Sequence, residues 1–556
     1  MECVPNFSEG RDLAVIESIA NAIRSVDGVK LLDVDPGKAT NRTVMTLVGE
    51  PNLVVEAAFR GIVKASELID MSKHSGEHPR MGATDVCPFI PISGVNMDDA
   101  VRCAHQLGEK LANETSISGF YYESAATSPQ RRNLAEVRSG EYEGLATKIL
   151  QPEWKPDYGK AVFNEKSGAT IIGARDFLIA YNVNLNTKNT RRANSVAFDV
   201  REAGRVKREG DPITGKIVLD ENGEQVRIPG KLKHVKGIGW YIEEYGICQV
   251  SLNLTNIRET PLHVVFDEIE KSANARGLRV TGSELVGLVP LSALLDAGKF
   301  FLQKQGSSAG ASEEELIQMA VKSLGLDELS PFDPNKKIIE CQLRDAKKAR
   351  LVNMSLIAFA NETASDSPAP GGGSIAACAG ALGASLATMV ANLSAQKRGW
   401  DARLEEFSNW AVKGQQLKDD LLALVDEDTR AFDAIMNAFG LPKDTAEEKA
   451  ARKQAIQNAT KYAVEIPFKT MEKAFEVFEI AEAMVQVGNP NSVTDAGVGA
   501  LCARTAVYGA WMNVHINLSG IEDQNFKLEM TNKSNDLLTK ANQKEQEIVA
   551  LVQTKM

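Results

Sequence analysis

The chain has 556 residues, too many for one hydrophobic core at about 150 residues per domain, so about three or four folding units are predicted. Hydrophobic residues make up 43% and charged residues 25%, a soluble globular balance that excludes wholesale disorder. The net charge of −11 is spread evenly, with 40 basic against 46 acidic residues over 1–338 and 23 against 28 over 339–556, and neither half is a basic nucleic-acid platform.

In chain order, the start MECVPNFSEGRD lacks a basic segment followed by an apolar core, so no secretory signal is expected there. Val29 to Val34 reads as a strand, Asp98 to Asn113 as an amphipathic helix with acids in its first turn, and Phe177 to Leu185 as an alternating strand. The run Ile217 to Ile228 places Asn222-Gly223 between two short strands, which predicts a β-hairpin with a type I′ turn. Ser312 and Glu315 form a capping box opening a helix to about Leu324. The polar segment after it carries Pro331 and Pro334 and reads as an interdomain boundary. Ser367 to Gln396 is uncharged for thirty residues, but its Ala, Gly and Ser content favours a closely packed buried helix over a membrane span. Beyond it, helical periodicity over 401–439, 449–486, 497–518 and 530–553 predicts an all-α bundle.

Several motifs carry chemistry or imitate it. Gly210 to Lys216 fits a phosphate loop until Ile217 stands where Ser or Thr would hold magnesium, and the segment runs into a strand. His74-Ser75-Gly76-Glu77-His78 matches an inverted zinc-protease pattern, yet Gly76 and Pro79 oppose the helix that pattern needs. A zinc hydrolase built on His74 and His78 therefore stays as a rival reading. His78 sits in a polar loop flanked by glycine and proline, suited to proton shuttling; a surface histidine without a role is the alternative. Asp33 and Asp35, followed by Asn41 and Arg42, lie where a strand meets a loop, as catalytic groups or as a solvated turn. On the long helix Leu421, Val425, Asp428, Phe432 and Ile435 form one stripe. Asp428 would thus be buried with a raised pKa, or else paired to a base from another helix, while Asp426 and Glu427 would be solvated. Asn513 and Asn517 would line a polar pocket or link helices, and Ser374 would cap a helix whose N–H groups bind a carboxylate. Seven cysteines with no CxxC spacing indicate free thiols in a reducing compartment, and the cytoplasm is the expected location.

ECVPNFSEG, LLDVDPGKATNRT, IDMSKHSGEHPRMGATDVCPFIPI, GARDFLIAYNVNL and SELVGLVPLSALLDA resemble the glutamate formiminotransferase domain, and SPAPGGGSIAA, LVDEDTRAFDA and NVHINLSG resemble the formiminotetrahydrofolate cyclodeaminase domain. Joined in this order, they resemble the formimidoyltransferase-cyclodeaminase family of folate enzymes of histidine degradation. The resemblance implies a multidomain chain: α/β subdomains at 1–177 and 178–325, a linker at 326–344 and an all-α cyclodeaminase at 345–556. It places the transferase's catalytic histidine on His78 and the cyclodeaminase's aspartate on Asp428, in agreement with the stripe. It places folate binding on Gly159-Lys160-Ala161-Val162-Phe163-Asn164-Glu165-Lys166-Ser167-Gly168. Asp35 would orient the imidazole and Arg42 would hold a substrate carboxylate. No metal and no tightly bound cofactor are implied. Tetrahydrofolate, as polyglutamate, is a co-substrate with N-formimino-L-glutamate, and Lys160, Lys166, Lys231, Lys233 and Lys236 are candidates for its acidic tail. A homo-oligomer built from dimers is implied, with no nucleic-acid partner and no membrane span.

Overall fold

The structure is a computed structural model and describes residues 1–38, 40–76, 79–211, 214–344 and 350–556. It divides into two compact units, Met1–Ala293 with Leu324–Leu343, and Leu294–Ser323 with Arg344–Met556.

The first unit opens with strands β1 (Glu2–Cys3) and β2 (Asn6–Phe7) and helix α1 (Leu13–Arg24), capped by the Asp12 carboxylate. Strands β3 (Lys30–Gly37) and β4 (Arg42–Val48), helix α2 (Pro51–Leu68), strand β5 (Thr84–Ile90), helix α3 (Met97–Glu114) and strand β6 (Ser118–Glu123) follow. Short helices α4 (Leu134–Arg138) and α5 (Glu141–Lys148) lead to β7 (Ala169–Ala174). Among the described residues these strands make a seven-stranded mixed sheet; β5 and β6 run parallel to β7, and the other pairings are antiparallel. All seven residues of β5 are buried because both faces of the sheet are covered. Cys87, Phe89, Tyr121 and Ile172 enter the core shared with α1, α2 and α3, whereas Val86, Phe120, Tyr122 and Ile171 pack with Val137 and Leu145 of α4 and α5. The one-residue alternation of strands produces this two-sided core. The expected acids at the start of α3 are present as Asp98 and Asp99, the latter in a capping box with Asn96.

A second sheet is antiparallel. Strand β8 (Ile179–Leu185) precedes helix α6 (Thr190–Val200) and the two-residue strands β9 (Arg205–Val206), β10 (Arg208–Glu209), β11 (Lys216–Ile217) and β12 (Arg227–Ile228). Then come β13 (Val235–Ile242), β14 (Ile247–Leu254), helix α7 (Leu262–Asn274) and β15 (Val280–Val286), and the sheet order is β13-β14-β8-β15. The hairpin near 222 differs from expectation. Gly223 takes φ +81° but Asn222 does not enter the left-handed region, and Gly223 N–H donates to Asp220 O while Asp220 N–H donates to Glu224 O. This is a three-residue loop with glycine last, not a type I′ turn, which needs both central residues left-handed. Its flanks pair outward, β11 with β10 and β12 with β9. Lys216 enters β11 rather than a helix, as the rejection of a phosphate loop requires; Pro212 and Ile213 lie outside the described residues.

Helices α8 (Leu291–Lys304) and α9 (Glu313–Leu324) come next, with Ser312 Oγ accepting from Glu315 N–H at the start of α9. The expected boundary at 326–344 is helical in part, α10 (Pro334–Lys337) and α11 (Ile339–Leu343), and is bonded into the first unit: Val289 N–H donates to Lys337 O and Ile339 N–H to Val289 O. Residues 294–323 instead group with the helical unit. There the turn after α8 is held by Ala309 N–H donating to Ser408 Oγ, and Gly310 O receives both Asn392 Nδ2 and Gln415 Nε2.

The second unit continues with α12 (Leu356–Thr363), α13 (Gly372–Ala395), α14 (Leu404–Phe439), α15 (Ala446–Val487), α16 (Val493–Leu518) and α17 (Gln524–Lys555). Helix α13 is long and apolar enough to cross a membrane, at mean hydropathy 1.7, but it packs against α14, α15 and α16. Small residues allow that approach. A Cβ on Gly380 would stand 3.1 Å from Ala506 Cβ, and one on Gly414 would stand 2.0 Å from Thr388 Oγ1. Pro467 lies inside α15, so Ala463 O loses its helical donor, and Asn517 Nδ2 of α16 donates to that oxygen at 2.7 Å.

Candidate active sites

In the first unit, the loop after α2 turns back over the junction of β3 and β4. Asn41, at φ +49°, accepts Gly10 N–H on Oδ1 and donates Nδ2–H to Ser75 O. His74 Nε2 lies 3.0 Å from Asn41 O, and Arg80 Nε donates to His74 Nδ1 at 3.2 Å. A carbonyl only accepts and a guanidinium only donates, so the imidazole is held neutral with its proton on Nε2. Burial, and the nearby Arg80, keep His74 below its ordinary pKa. Both ring nitrogens are thus engaged, which removes His74 as a zinc ligand in this arrangement. Arg80 also donates to Glu143 at 2.6 and 2.9 Å and to Glu141 at 3.2 Å. His74, Ser75, Gly76, Arg80, Gly140, Glu141 and Glu143 line a cavity of about 480 Å³. Glu77 and His78 lie outside the described residues.

Asp35 is exposed on β3, and Arg42 begins β4 beside it. Burial pulls the Arg42 guanidinium down to about 10, opposed by Asp85 and Asp35, so these three groups share one electrostatic neighbourhood. Asp85 is buried in β5, accepts Met81 N–H, and pairs with Arg138 at 2.5 Å. Asp33 is pushed above its ordinary value by burial and by Asp35. Asp85, Arg138, Arg80, Glu141 and Glu143 were not singled out from sequence; a lone carboxylate in the otherwise apolar TDVCPFI strand was the one available signal.

The glycine-bounded segment 159–168 forms one wall of a cavity of about 730 Å³ through Lys160, Val162, Phe163, Asn164, Glu165 and Lys166, with Asp70, Ser72, Thr115 and Ser116 also lining it. Gly159 and Gly168 take φ +77° and +64°, the left-handed turns that close the loop. Asn164 Oδ1 accepts Ser167 N–H, Tyr142 Oη donates to Glu165 O, and Lys166 Nζ reaches Glu67 O, so the wall is tied at several points. Farther along, Lys231 pairs with Glu268 and Lys233 with Glu259, leaving that cluster partly neutralised.

In the second unit, Asp428 of α14 faces the opening turn of α13. Ser374 Oγ donates to Asp428 Oδ2 at 3.0 Å, and burial outweighs the Ser374 hydroxyl and N–H donors to raise the carboxyl above its ordinary pKa. The paired-base alternative finds no basic partner for Asp428 among the described residues. The stripe is interrupted past this acid, where α14 runs beyond the opening turn of α13: Leu421 and Val425 are buried and Ile435 packs against the core, but Phe432 is 41% exposed, and the buried positions there are Ala431 and Ala438. Asp426, expected in solvent, is buried and accepts Leu351 and Val352 N–H, a partner 75 residues away that no local pattern announces. Glu427 pairs with Arg430 and accepts Tyr462 Oη–H. Ser374 does not cap its helix: α13 starts at Gly372 with Gly371 as N-cap, so Ser374 lies in the third helical position and its donors meet Asp428 instead. Asn517 links helices through Ala463 O, whereas Asn513, one turn earlier, lies beside Gly372.

A polar strand-end cluster with a glycine-bounded cavity wall and, in a separate unit, a carboxyl of raised pKa at a helix opening are the two candidate active sites. Comparison with known proteins gives their kind. The profile of the N-terminal subdomain of the formiminotransferase domain matches residues 1–175, that of the formiminotransferase domain 180–344, and that of formiminotransferase-cyclodeaminase 355–536. The chain is 44% identical over 543 residues to formimidoyltransferase-cyclodeaminase of Rattus norvegicus, covering 97% of this chain and 96% of that one. It is 41% identical over 303 residues to glutamate formimidoyltransferase of Streptococcus pyogenes serotype M1, covering 54% and 93%. It is 37% identical over 204 residues to methenyltetrahydrofolate cyclohydrolase of Methylorubrum extorquens, covering 37% and 98%. The chain belongs to the formimidoyltransferase-cyclodeaminase family.

Proposed function

We propose that this chain is a bifunctional folate enzyme of histidine degradation, which transfers the formimino group of N-formimino-L-glutamate to N5 of tetrahydrofolate and then closes 5-formiminotetrahydrofolate to 5,10-methenyltetrahydrofolate with release of ammonia. The observation that carries the reading is the joining, along 97% of one chain, of two halves that each match a separate relative, a glutamate formimidoyltransferase and a methenyltetrahydrofolate cyclohydrolase.

In the transferase, N5 attacks the formimino carbon, and His78 takes its proton and returns it to the departing glutamate nitrogen. Asp35 orients that imidazole, and Arg42, kept cationic even at a pKa of about 10, holds a substrate carboxylate. The 159–168 wall of the large cavity binds folate, with Lys160 and Lys166 toward its acidic tail. In the cyclodeaminase, N10 attacks the same carbon and Asp428, whose carboxyl burial holds above its ordinary pKa, donates a proton to the nitrogen that leaves. Seven free thiols support a cytoplasmic location. A homo-oligomer is supported by exposed apolar residues on adjacent helices, Leu382, Met389 and Leu393 of α13 and Val498, Leu501, Met512 and Ile516 of α16.

Incubating the purified chain with N-formimino-L-glutamate and tetrahydrofolate tests the reading; ammonia and methenyl absorbance both appear. His78→Ala abolishes transfer yet still cyclises supplied 5-formiminotetrahydrofolate, and Asp428→Asn does the reverse. Transfer surviving the first substitution, or ammonia at the normal rate after the second, removes that residue from its role.

A further inference from the structure

The opening turn of α13 meets two side chains, and the reaction scheme uses only one. A Cβ on Gly373 would stand 2.1 Å from Asp428 Oδ1, and a Cβ on the preceding Gly372 would stand 3.4 Å from Asn513 Nδ2. The two glycines thus leave open a space bounded by an acid from α14 and an amide from α16. The amide is oriented: Asn513 Nδ2 donates to Gly509 O at 2.8 Å, and turning the group over would set Oδ1 against that carbonyl. With one N–H so engaged, Oδ1 has no donor among the described residues. Asn513 is half-buried and Gly372 exposed, so a ligand can reach this oxygen.

We infer that Asn513 is a substrate-binding residue of the second site, its Oδ1 accepting an N–H of the formimino nitrogen that leaves as ammonia. The inference rests on the role given to Asp428 above. A formimino group near neutral pH is an amidinium, whose nitrogen only donates hydrogen bonds, whereas a formyl group presents an acceptor oxygen in the same place. A fixed amide oxygen therefore selects the first over the second. The proton balance closes. N10 forms its bond to carbon, Asp428 gives its proton to the amino nitrogen and regains one from N10, and the C–N bond breaks with its electron pair leaving on ammonia. Amidinium and N10–H thus become the methenyl cation and NH3. The bond to Oδ1 stops the amino group from rotating away from Asp428 before that transfer.

The test supplies 5-formiminotetrahydrofolate to the full chain and follows ammonia. Asn513→Leu, of similar volume but without hydrogen bonds, lowers kcat roughly 10- to 100-fold while KM changes less than about threefold, and transfer in the first unit is untouched. Asn513→Asp keeps an acceptor oxygen, retains more kcat than the leucine variant, and adds a charge near Asp428, which moves the pH limb of that acid upward. The groups around Asp428 leave this limb interpretable: Ser374 is its hydrogen-bond partner, Glu427 and Arg430 pair with each other, and His515 of α16 turns to Ser534 Oγ. If Asp428→Asn still releases ammonia at the normal rate, the role of Asp428 fails and the inference with it. If Asp428→Asn is inactive but Asn513→Leu keeps full kcat, or Asn513→Asp leaves the limb in place, the inference alone is overturned. The aspartate variant answers the question even where the leucine variant fails to fold.

Discussion

Pro467 and Asn517 make a pair whose energetics can be worked out from one oxygen. Proline at 467 withholds the N–H that Ala463 O would receive in an unbroken helix, Ala463 is buried, and Asn517 Nδ2 supplies the missing donor at 2.7 Å. Replacing Asn517 by Ala strands a buried carbonyl, a loss of about 1–3 kcal/mol. In a Pro467→Ala background the new N–H meets Ala463 O within the helix, so the same Asn517→Ala change costs only a few tenths of a kcal/mol, and the two substitutions couple by about 1–2 kcal/mol. Thermal unfolding of the four proteins, followed by circular dichroism in the transition of the helical unit, reads this as about 2–4 °C per kcal/mol for a unit of this size. Equal losses in both backgrounds, or none in the parent, refute the account. Ammonia release adds a second readout, since Asn517 lies one turn from Asn513 and loosening the end of α16 weakens both contacts.

Gly373→Ala would drive a methyl group to 2.1 Å from Asp428 Oδ1; the roughly 1 kcal/mol gained in helix propensity does not offset displacement of the acid, and ammonia release falls at least tenfold while formimino transfer persists. Glu2 is buried, and burial, joined by Glu340 and opposed by Arg175 and the N-terminus, raises it from 4.5 to about 7. Its folded pKa is the higher one, so its contribution is complete below about pH 4.5 and lost as pH rises to about 7, a fall of about 3 kcal/mol. Glu2→Gln flattens the melting temperature of the first unit between pH 5 and 8; curves parallel to the parent's count against this. Arg80→Met frees His74 Nδ1 and two glutamates together, destabilising the first unit by about 1–3 kcal/mol, discounted because both glutamates are largely exposed, and lowering transfer without changing cyclisation.

The alternation of apolar strands, the acidic start of α3 and the long breaker-free periods of the bundle were legible because each is a local rule repeated over many residues. Asp428 was legible on the same ground, as a carboxylate in phase with Leu421 and Val425. The failures sit where the deciding partner is remote. Asp426 is buried because Leu351 and Val352 N–H meet it from 75 residues away, and Phe432 is exposed where α14 runs beyond the opening turn of α13. The turn at Asn222-Gly223 shows a finer limit: the dipeptide foretold a hairpin, but Asp220, by accepting Asn222 and Glu224 N–H on its side chain, selects the three-residue loop. The 159–168 segment came from resemblance alone, since no periodicity marks a cavity wall.

Helix α13 is spaced from its neighbours by glycine, alanine and serine, with Gly383 facing Gly499 O and Gly380 facing Ala506. Distances in the second site are therefore set by main chain against main chain, not by the rotamers of long side chains, and few torsions remain to soften on warming. Heat should leave the acid and its glycine turn in register until the helices part, so ammonia release ends in one step with the bundle and shows no earlier decline.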